Sequence, residues 1–123
     1  MVREKTVPVL LEMVKYPSEV IKQNCGGTLS QLALNEANQI YVITQGLPIL
    51  LGLAKSKTYK TLITCARTLT VLSGNRRGCA RLIKAGAIEV LIGMIKEDKE
   101  LGASPLKRSI VSALGNMLGH DAT

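Results

Sequence analysis

The residues that could carry covalent chemistry are few and lie far apart. The cysteines, the single histidine and the two aspartates are Cys25, Cys65, Cys79, His120, Asp98 and Asp121. They form no nucleophile–base pair, and the chain contains no phosphate-binding loop and no metal-ligand spacing. The sequence therefore predicts a protein that is not an enzyme and that needs neither a cofactor nor a metal.

The cysteine spacing is typical of structural thiols. An odd number of cysteines without a CxxC pair favours a reducing compartment over a disulfide frame. Cys25 and Cys65 occupy equivalent small positions of two similar segments, where we expect them to pack in the core. Cys79 lies near basic residues, so a more reactive thiol is the alternative there, although no base accompanies it.

The start of the chain lacks the uninterrupted apolar core of a signal peptide. No apolar run approaches the roughly 20 residues that a membrane span needs. We therefore expect a soluble intracellular protein, cytoplasmic or nuclear. At 123 residues and 46% hydrophobic content, the length and composition predict one small domain with an aliphatic core.

Basic residues are the remaining candidates for function, and they are unevenly placed. Residues 1–45 carry four basic and four acidic residues, whereas residues 46–123 carry the other 12 basic and 5 acidic ones, and hence the whole net charge of +7. This asymmetry favours an acidic partner or surface, with an ordinary solvated exterior as the alternative.

One basic cluster consists of Arg76, Arg77, Arg81 and Lys84. It could contact nucleic acid or anionic lipid, but the stacking aromatics that usually accompany such a face are missing. This function therefore ranks third.

A recurring sequence motif, which we call the phrase, relates the segments of the chain that contain these residues. Short apolar runs begin at Val7, Leu47 and Ile88, so the two steps between them are almost equal. Longer helical patterns end in a second phrase, at 28–32, 68–72 and 113–117, where the last step is slightly longer. A period of about 40 residues is typical of repeat architectures.

The pattern of apolar residues predicts helices throughout. The long helices should cover about 18–34, 58–73 and 105–119, and shorter ones should begin near Val7, Asn38, Leu47, Cys79 and Ile88. Asn38 and Ser104 are the predicted N-caps, the latter followed by Pro105. Gly46 and Gly86 are predicted to stop the short helices. The fold class is all-α.

The chain resembles the armadillo repeat family over residues 6–119. The family phrase is similar to the stretch from Gly86 to Ile92 followed by 113–117, and its connecting element is similar to the stretch from Asn38 to Gly46. The resemblance implies a right-handed α-solenoid of three-helix repeats, with a partial repeat at 6–34 and repeats at 35–73 and 74–119. The chain would then be a single domain of 1–123 or a fragment of a longer solenoid.

The resemblance also implies a concave groove, lined by the third helices, that binds extended peptides. The positions where the family keeps a groove Trp correspond to Gly27, Arg67 and Ser112, and the positions of its groove Asn correspond to Gln31, Val71 and Asn116. Lys60 and Arg108 fall near these positions. Guanidinium groups in such a groove would suit carboxylates or phosphorylated side chains.

The function expected on these grounds is non-catalytic protein–protein interaction, with an extended and acidic segment of a partner held in the groove. The alternative is a structural or assembly role, in which exposed repeat ends pack end to end and the chain associates with itself.

Overall fold

The computed structural model describes residues 6–98, 102 and 104–121, and all regular structure in this part of the chain is helical. The helices are α1 (Thr6–Met13), α2 (Glu19–Ala33), α3 (Glu36–Leu53), α4 (Tyr59–Ser73), α5 (Arg76–Lys84), α6 (Ala87–Glu97) and α7 (Pro105–Asp121). The prediction of an all-α fold is confirmed. None of the described helices is both long and apolar enough to cross a membrane. Most of the predicted loop at 97–103 and the side chains of His120 and Asp121 lie outside the described residues.

Several helix ends lie where the sequence predicts them. The Ser104 hydroxyl accepts a hydrogen bond from the Lys107 backbone N–H at 3.1 Å, and α7 begins at Pro105. Gly86 ends the preceding helical turn with a φ of 89°, in the left-handed region that glycine occupies without strain. α7 continues to Asp121.

The predicted stop at Gly46 is wrong, because α3 runs without a break through both Gly46 and Pro48. Gly46 is buried, and a Cβ added there would lie 3.2 Å from the Leu29 side chain, so this glycine allows α2 and α3 to approach closely. Pro48 removes one helical N–H. The continuous buried face of α3, which includes Val42 and Ile49, outweighs that loss.

The predicted N-cap at Asn38 is also wrong. Asn35 caps α3, since its side-chain oxygen accepts a hydrogen bond from the Ala37 N–H at 2.9 Å. Asn38 lies inside the helix and is only 4% exposed. The local sequence offers two nearby asparagines, and the chain places the first one at the exposed end and buries the second.

Three helices form a row in which α4 packs between α2 and α7. α3 packs on α1, α2, α4 and α5, while α6 packs on α5 and α7. The core is almost entirely aliphatic. Its largest fully buried side chains are Leu29, Ile43, Ile49, Leu50, Leu53, Leu69, Leu72, Leu82, Leu91, Leu106, Ile110 and Met117.

The repeat spacing of the sequence reappears in the packing. The Cys25 thiol lies 3.9 Å from the Leu10 carbonyl oxygen, and the Cys65 thiol lies 3.3 Å from that of Leu50. The step from Cys25 to Cys65 equals the step from Leu10 to Leu50 and the step from Val7 to Leu47. The same side-chain type therefore makes the same contact between consecutive segments of the chain.

Glu19, in the first turn of α2, holds the start of α4. Its Oε1 accepts hydrogen bonds from the hydroxyls of Ser56 and Thr58, at 2.6 and 2.9 Å, and from the Lys57 N–H at 3.3 Å. The Lys22 ammonium lies 3.5 Å from the other oxygen. The hydrogen bonds from Ser56 and Thr58 lower the pKa of Glu19 from 4.5 to about 2, so the carboxylate stays charged over the physiological range.

Candidate binding surface on three packed helices

The predicted groove residues all lie on the row formed by α2, α4 and α7. They are Gly27 and Gln31 on α2, Lys60, Arg67 and Val71 on α4, and Arg108, Ser112 and Asn116 on α7. Arg67, Val71, Arg108 and Ser112 line one open depression of about 420 Å³, which we call the central depression. The other four do not line it.

The central depression combines cations and hydroxyls with a lining that is largely apolar. Its other walls are Ser30, Leu34, Thr70 and Ser109. No carboxylate is found among the described residues that line it. Among the described residues, neither Arg67 nor Arg108 forms a salt bridge. Both arginines are exposed and can form bidentate hydrogen bonds to an anion.

Hydrogen bonds between α4 and α7 fix the floor of this depression. The Thr70 hydroxyl lies 2.9 Å from the carbonyl oxygens of Ala66 and Ser109. The Asn116 amide donates to the Thr70 carbonyl and to the Ser73 hydroxyl, both at 3.2 Å. The amide group of Asn116 therefore links two helices of the protein, and the arginines project from a rigid support.

A second depression of about 440 Å³ adjoins the first. Glu36, Gln39, Gly74, Asn75, Arg76 and Arg77 line it together with Val71, which also lines the central depression. The groove and the first half of the basic cluster 76–84, predicted as separate candidates, are thus neighbours on one surface. Sequence reasoning did not foresee this adjacency.

The second half of the basic cluster lies elsewhere. Arg81 and Lys84 are exposed on α5 but do not line either depression. The Arg81 guanidinium donates a hydrogen bond to the Thr44 hydroxyl at 2.8 Å, which directs it toward α3. Arg76 and Arg77 therefore border the second depression, whereas Arg81 and Lys84 lie outside it.

A third cavity, of about 620 Å³, lies between α3, α4 and α6 and was not predicted from the sequence. Its walls include the apolar side chains of Leu51, Leu62, Val90 and Met94, with Lys55, Lys57 and Glu97 among its polar lining. The recurring apolar phrase contains Leu51 and Val90, but the phrase alone does not show that α3 and α6 leave a gap between them.

The three cysteine thiols lie in the interior of the protein. Burial raises the pKa of Cys65 to about 12, and it raises that of Cys25 as well, so both stay protonated at neutral pH. Cys79 is buried too. Within the described residues, no three or more His, Cys, Asp or Glu side chains group together in a way that could hold a metal ion.

Comparison with known proteins does not identify a family for this chain. No protein-family model matches the chain, and no curated protein is significantly similar to it.

Proposed function

We propose that the chain is an armadillo-type α-solenoid that binds an extended acidic segment of a partner protein across the row formed by α2, α4 and α7. Three features support the proposed architecture. They are the recurring sequence phrase, the row of packed helices, and the matched thiol contacts of Cys25 and Cys65, which lie one repeat period apart.

The main support for an acidic ligand is the lining of the central depression. Arg67 and Arg108 lie there together with four hydroxyl groups, and none of the described lining residues is a carboxylate. A carboxylate accepts two parallel hydrogen bonds from a guanidinium, and the hydroxyls of Ser30, Ser109 and Ser112 can donate to further oxygens. Leu34 and Val71 supply apolar contact for a neighbouring aliphatic side chain. An acidic segment with interspersed leucine or valine fits this lining.

The shape of the surface supports an extended ligand. The central depression draws its walls from α2, α4 and α7, and at Val71 it meets the second depression with Arg76 and Arg77. A ligand that contacts both arginine pairs must cross several helices. A compact small molecule would reach only one depression.

Fluorescence polarisation with labelled peptides tests the proposal. The probes are an extended peptide that alternates glutamate with leucine and its lysine counterpart. We expect the acidic peptide to bind and the basic one not to bind. Its affinity should fall as salt is added, because exposed charges are screened. Charge-assisted hydrogen bonds contribute about 1.5–3 kcal/mol each, so Arg67→Glu with Arg108→Glu should weaken binding at least tenfold.

The matched control is Lys55→Glu with Lys96→Glu, which changes the net charge equally at exposed sites away from the central depression. This control should retain most of the affinity, and circular dichroism should show both double variants to be helical. Equal binding of the acidic and basic peptides, or equal loss in both double variants, would contradict a specific site. Salt-dependent binding of a short DNA or RNA that needs Arg76 and Arg77 would instead favour nucleic acid as the ligand.

A further inference from the structure

The third cavity is formed by helices that have other helices before and after them in the chain, and we call it the α3–α6 cavity. Its walls are the last turn of α3, the loop 54–57, the first turn of α4 and one face of α6. Its volume of about 620 Å³ lies within the roughly 300–1,000 Å³ that small-molecule sites occupy in proteins. None of its described lining residues lines the central depression or the second depression, so it is a separate candidate site.

One face of α6 forms a largely apolar wall of this cavity. Val90, Gly93, Met94 and Glu97 follow the i, i+3, i+4, i+7 spacing of a single helix face, and all four line the cavity. Gly93 lies in the middle of this face, and a Cβ added there would meet no atom within 4 Å. The lack of a side chain at this position therefore leaves space beside α6.

Aliphatic side chains of α3 and α4 line the cavity as well. Leu51 and Leu62 are half-buried, as is Val90 on α6, while Met94 is only 4% exposed. An apolar ligand group that covers the half-buried side chains removes their surface from water, and the flexible Met94 can adapt to its shape. No aromatic ring is present among the described lining residues. Without a ring for stacking, the lining favours an aliphatic chain.

The loop 54–57 contributes two ammonium groups to the lining. Lys55 and Lys57 are both exposed, and neither forms a salt bridge within the described ranges. Glu97 is the one carboxylate among the described lining residues, and it lies on α6. Because the ammonium groups outnumber the carboxylate, the lining favours a ligand with a negative charge.

Glu19 holds the loop 54–57 in place. Its carboxylate accepts hydrogen bonds from the Ser56 hydroxyl at 2.6 Å and from the Lys57 N–H at 3.3 Å. Ser56 is only 6% exposed, and its hydroxyl also accepts a hydrogen bond from the Thr58 N–H at 3.1 Å. The backbone that carries the two lysines is therefore ordered before a ligand binds, which lowers the entropic cost of binding.

We propose that the α3–α6 cavity binds an unbranched aliphatic carboxylate of the size of a medium-chain fatty acid. Its chain lies against the aliphatic side chains of α3, α4 and α6, and its carboxylate lies near the ammonium groups of Lys55 and Lys57. Repulsion between like charges keeps the carboxylate away from Glu97. Since Arg67 and Arg108 line a different depression, this site is independent of the binding of an acidic segment.

Methyl NMR of protein labelled at methionine tests the proposal with decanoate, kept below its micelle-forming concentration. Met94 lines the cavity, whereas Met13 lies on α1 and Met117 is fully buried on α7. Decanoate should shift the Met94 methyl signal to saturation and leave those of Met13 and Met117 unchanged. Across hexanoate, octanoate and decanoate, each added methylene should tighten binding by up to roughly fourfold, because it buries more apolar surface. Decyltrimethylammonium, with a positive charge on the same chain, should bind more weakly than decanoate.

Gly93→Leu tests the apolar part of the site, because a leucine side chain fills the open space beside α6. This variant should lose the response of Met94 to decanoate. The matched control is Gly52→Leu, since Gly52 also lies inside a helix with open space around it but does not line the cavity. The control should respond like wild type. Circular dichroism checks that both variants fold, and the wild-type titration and the lysine variants below test the proposal without Gly93→Leu.

Lys55→Gln with Lys57→Gln tests the charged part of the site. Exposed ion pairs are weak, so the double variant should bind decanoate roughly fivefold more weakly than wild type. Lys84→Gln with Lys96→Gln removes the same charge at exposed positions outside the cavity and should bind like wild type. Arg67→Glu with Arg108→Glu should also leave decanoate binding unchanged, which separates this site from the central depression.

Four results would overturn the proposal. The first is a Met94 signal that does not respond to decanoate, or that responds only together with Met13 and Met117, because a general response indicates non-specific association. The second is equal binding of decanoate and decyltrimethylammonium, since the lysines would then play no part. The third is equal binding by the Gly93→Leu and Gly52→Leu variants. The fourth is competition between decanoate and the acidic peptide, because this would assign the cavity to an aliphatic side chain of the partner segment.

Discussion

A substitution of Asn116 tests whether its side-chain amide holds α4 and α7 together or faces a ligand. The change Asn116→Ala removes the amide that donates to the Thr70 carbonyl and the Ser73 hydroxyl at 3.2 Å. Each such bond contributes about 0.5–1.5 kcal/mol net, so the two together contribute about 1–3 kcal/mol. Alanine recovers up to about 0.7 kcal/mol through its higher helix propensity. We therefore expect the free energy of unfolding to fall by about 1–2 kcal/mol.

Urea denaturation followed by circular dichroism measures this loss. The matched control is Gln31→Ala, since Gln31 occupies the corresponding position on α2 and is exposed. Its stability should change by less than about 0.5 kcal/mol. An Asn116→Ala protein as stable as wild type would refute the assignment of the amide to the α4–α7 contact. Unchanged stability with a tenfold loss of peptide affinity would instead indicate that the amide faces the ligand, as the armadillo resemblance implies.

Two further predictions concern the glycines of the helices and the carboxylate of Glu19. Gly27→Ala should raise the free energy of unfolding by about 1 kcal/mol, because Gly27 lies inside α2 with open space around it. Gly78→Ala should lower it by about 1–3 kcal/mol, because its Cβ would overlap the Ile43 side chain and lie 3.0 Å from the Leu72 carbonyl oxygen. Denaturant melts of the two alanine variants should move in opposite directions, and parallel shifts would contradict the packing. For Glu19, the folded-state pKa of about 2 lies below the ordinary 4.5, so its stabilising contribution is present above pH 4.5 and is lost as the pH falls toward 2. The stability gap between wild type and Glu19→Gln should therefore be constant near neutral pH and close between pH 4.5 and 2. A gap of unchanged size at pH 2 would show that the carboxylate charge is not its source.

Helix ends were predictable from the sequence where a single residue at the end determines the backbone conformation or caps the helix. Ser104 before Pro105 supplies a side-chain acceptor at the position where the first helical N–H groups lack partners, and α7 begins there. Gly86 needs a positive φ that other residues rarely adopt. Gly46 is also a glycine, but it lies on a face of α3 that packs against α2. The contact between these helices therefore determines its conformation. The sequence around a glycine does not distinguish these two uses.

The candidate surface was predictable only in part. Repeat spacing identifies corresponding positions along the chain, but it does not predict where neighbouring helices leave a gap. Spacing places Arg67 and Ser112 at corresponding positions, and the structure brings them to one depression. The internal bonds of Asn116 depend on the separation of α4 and α7, which no spacing specifies. The contact of Glu19 with Ser56 and Thr58 was missed for a similar reason, since Tyr59 replaces the acid at the equivalent position of the next repeat and breaks the pattern.

The two depressions that share Val71 differ in charge, and this difference would orient the proposed acidic ligand. Glu36 lies with Arg76 and Arg77 in the second depression, whereas the described lining of the central depression has no carboxylate. A carboxylate of the ligand is repelled by Glu36 and gains less beside it than beside Arg67. The most acidic part of the partner segment should therefore occupy the central depression. The part of the partner segment that passes over Val71 should be less charged. It lies beyond Arg67 and Arg108 and faces the second depression, where both basic and acidic side chains occur.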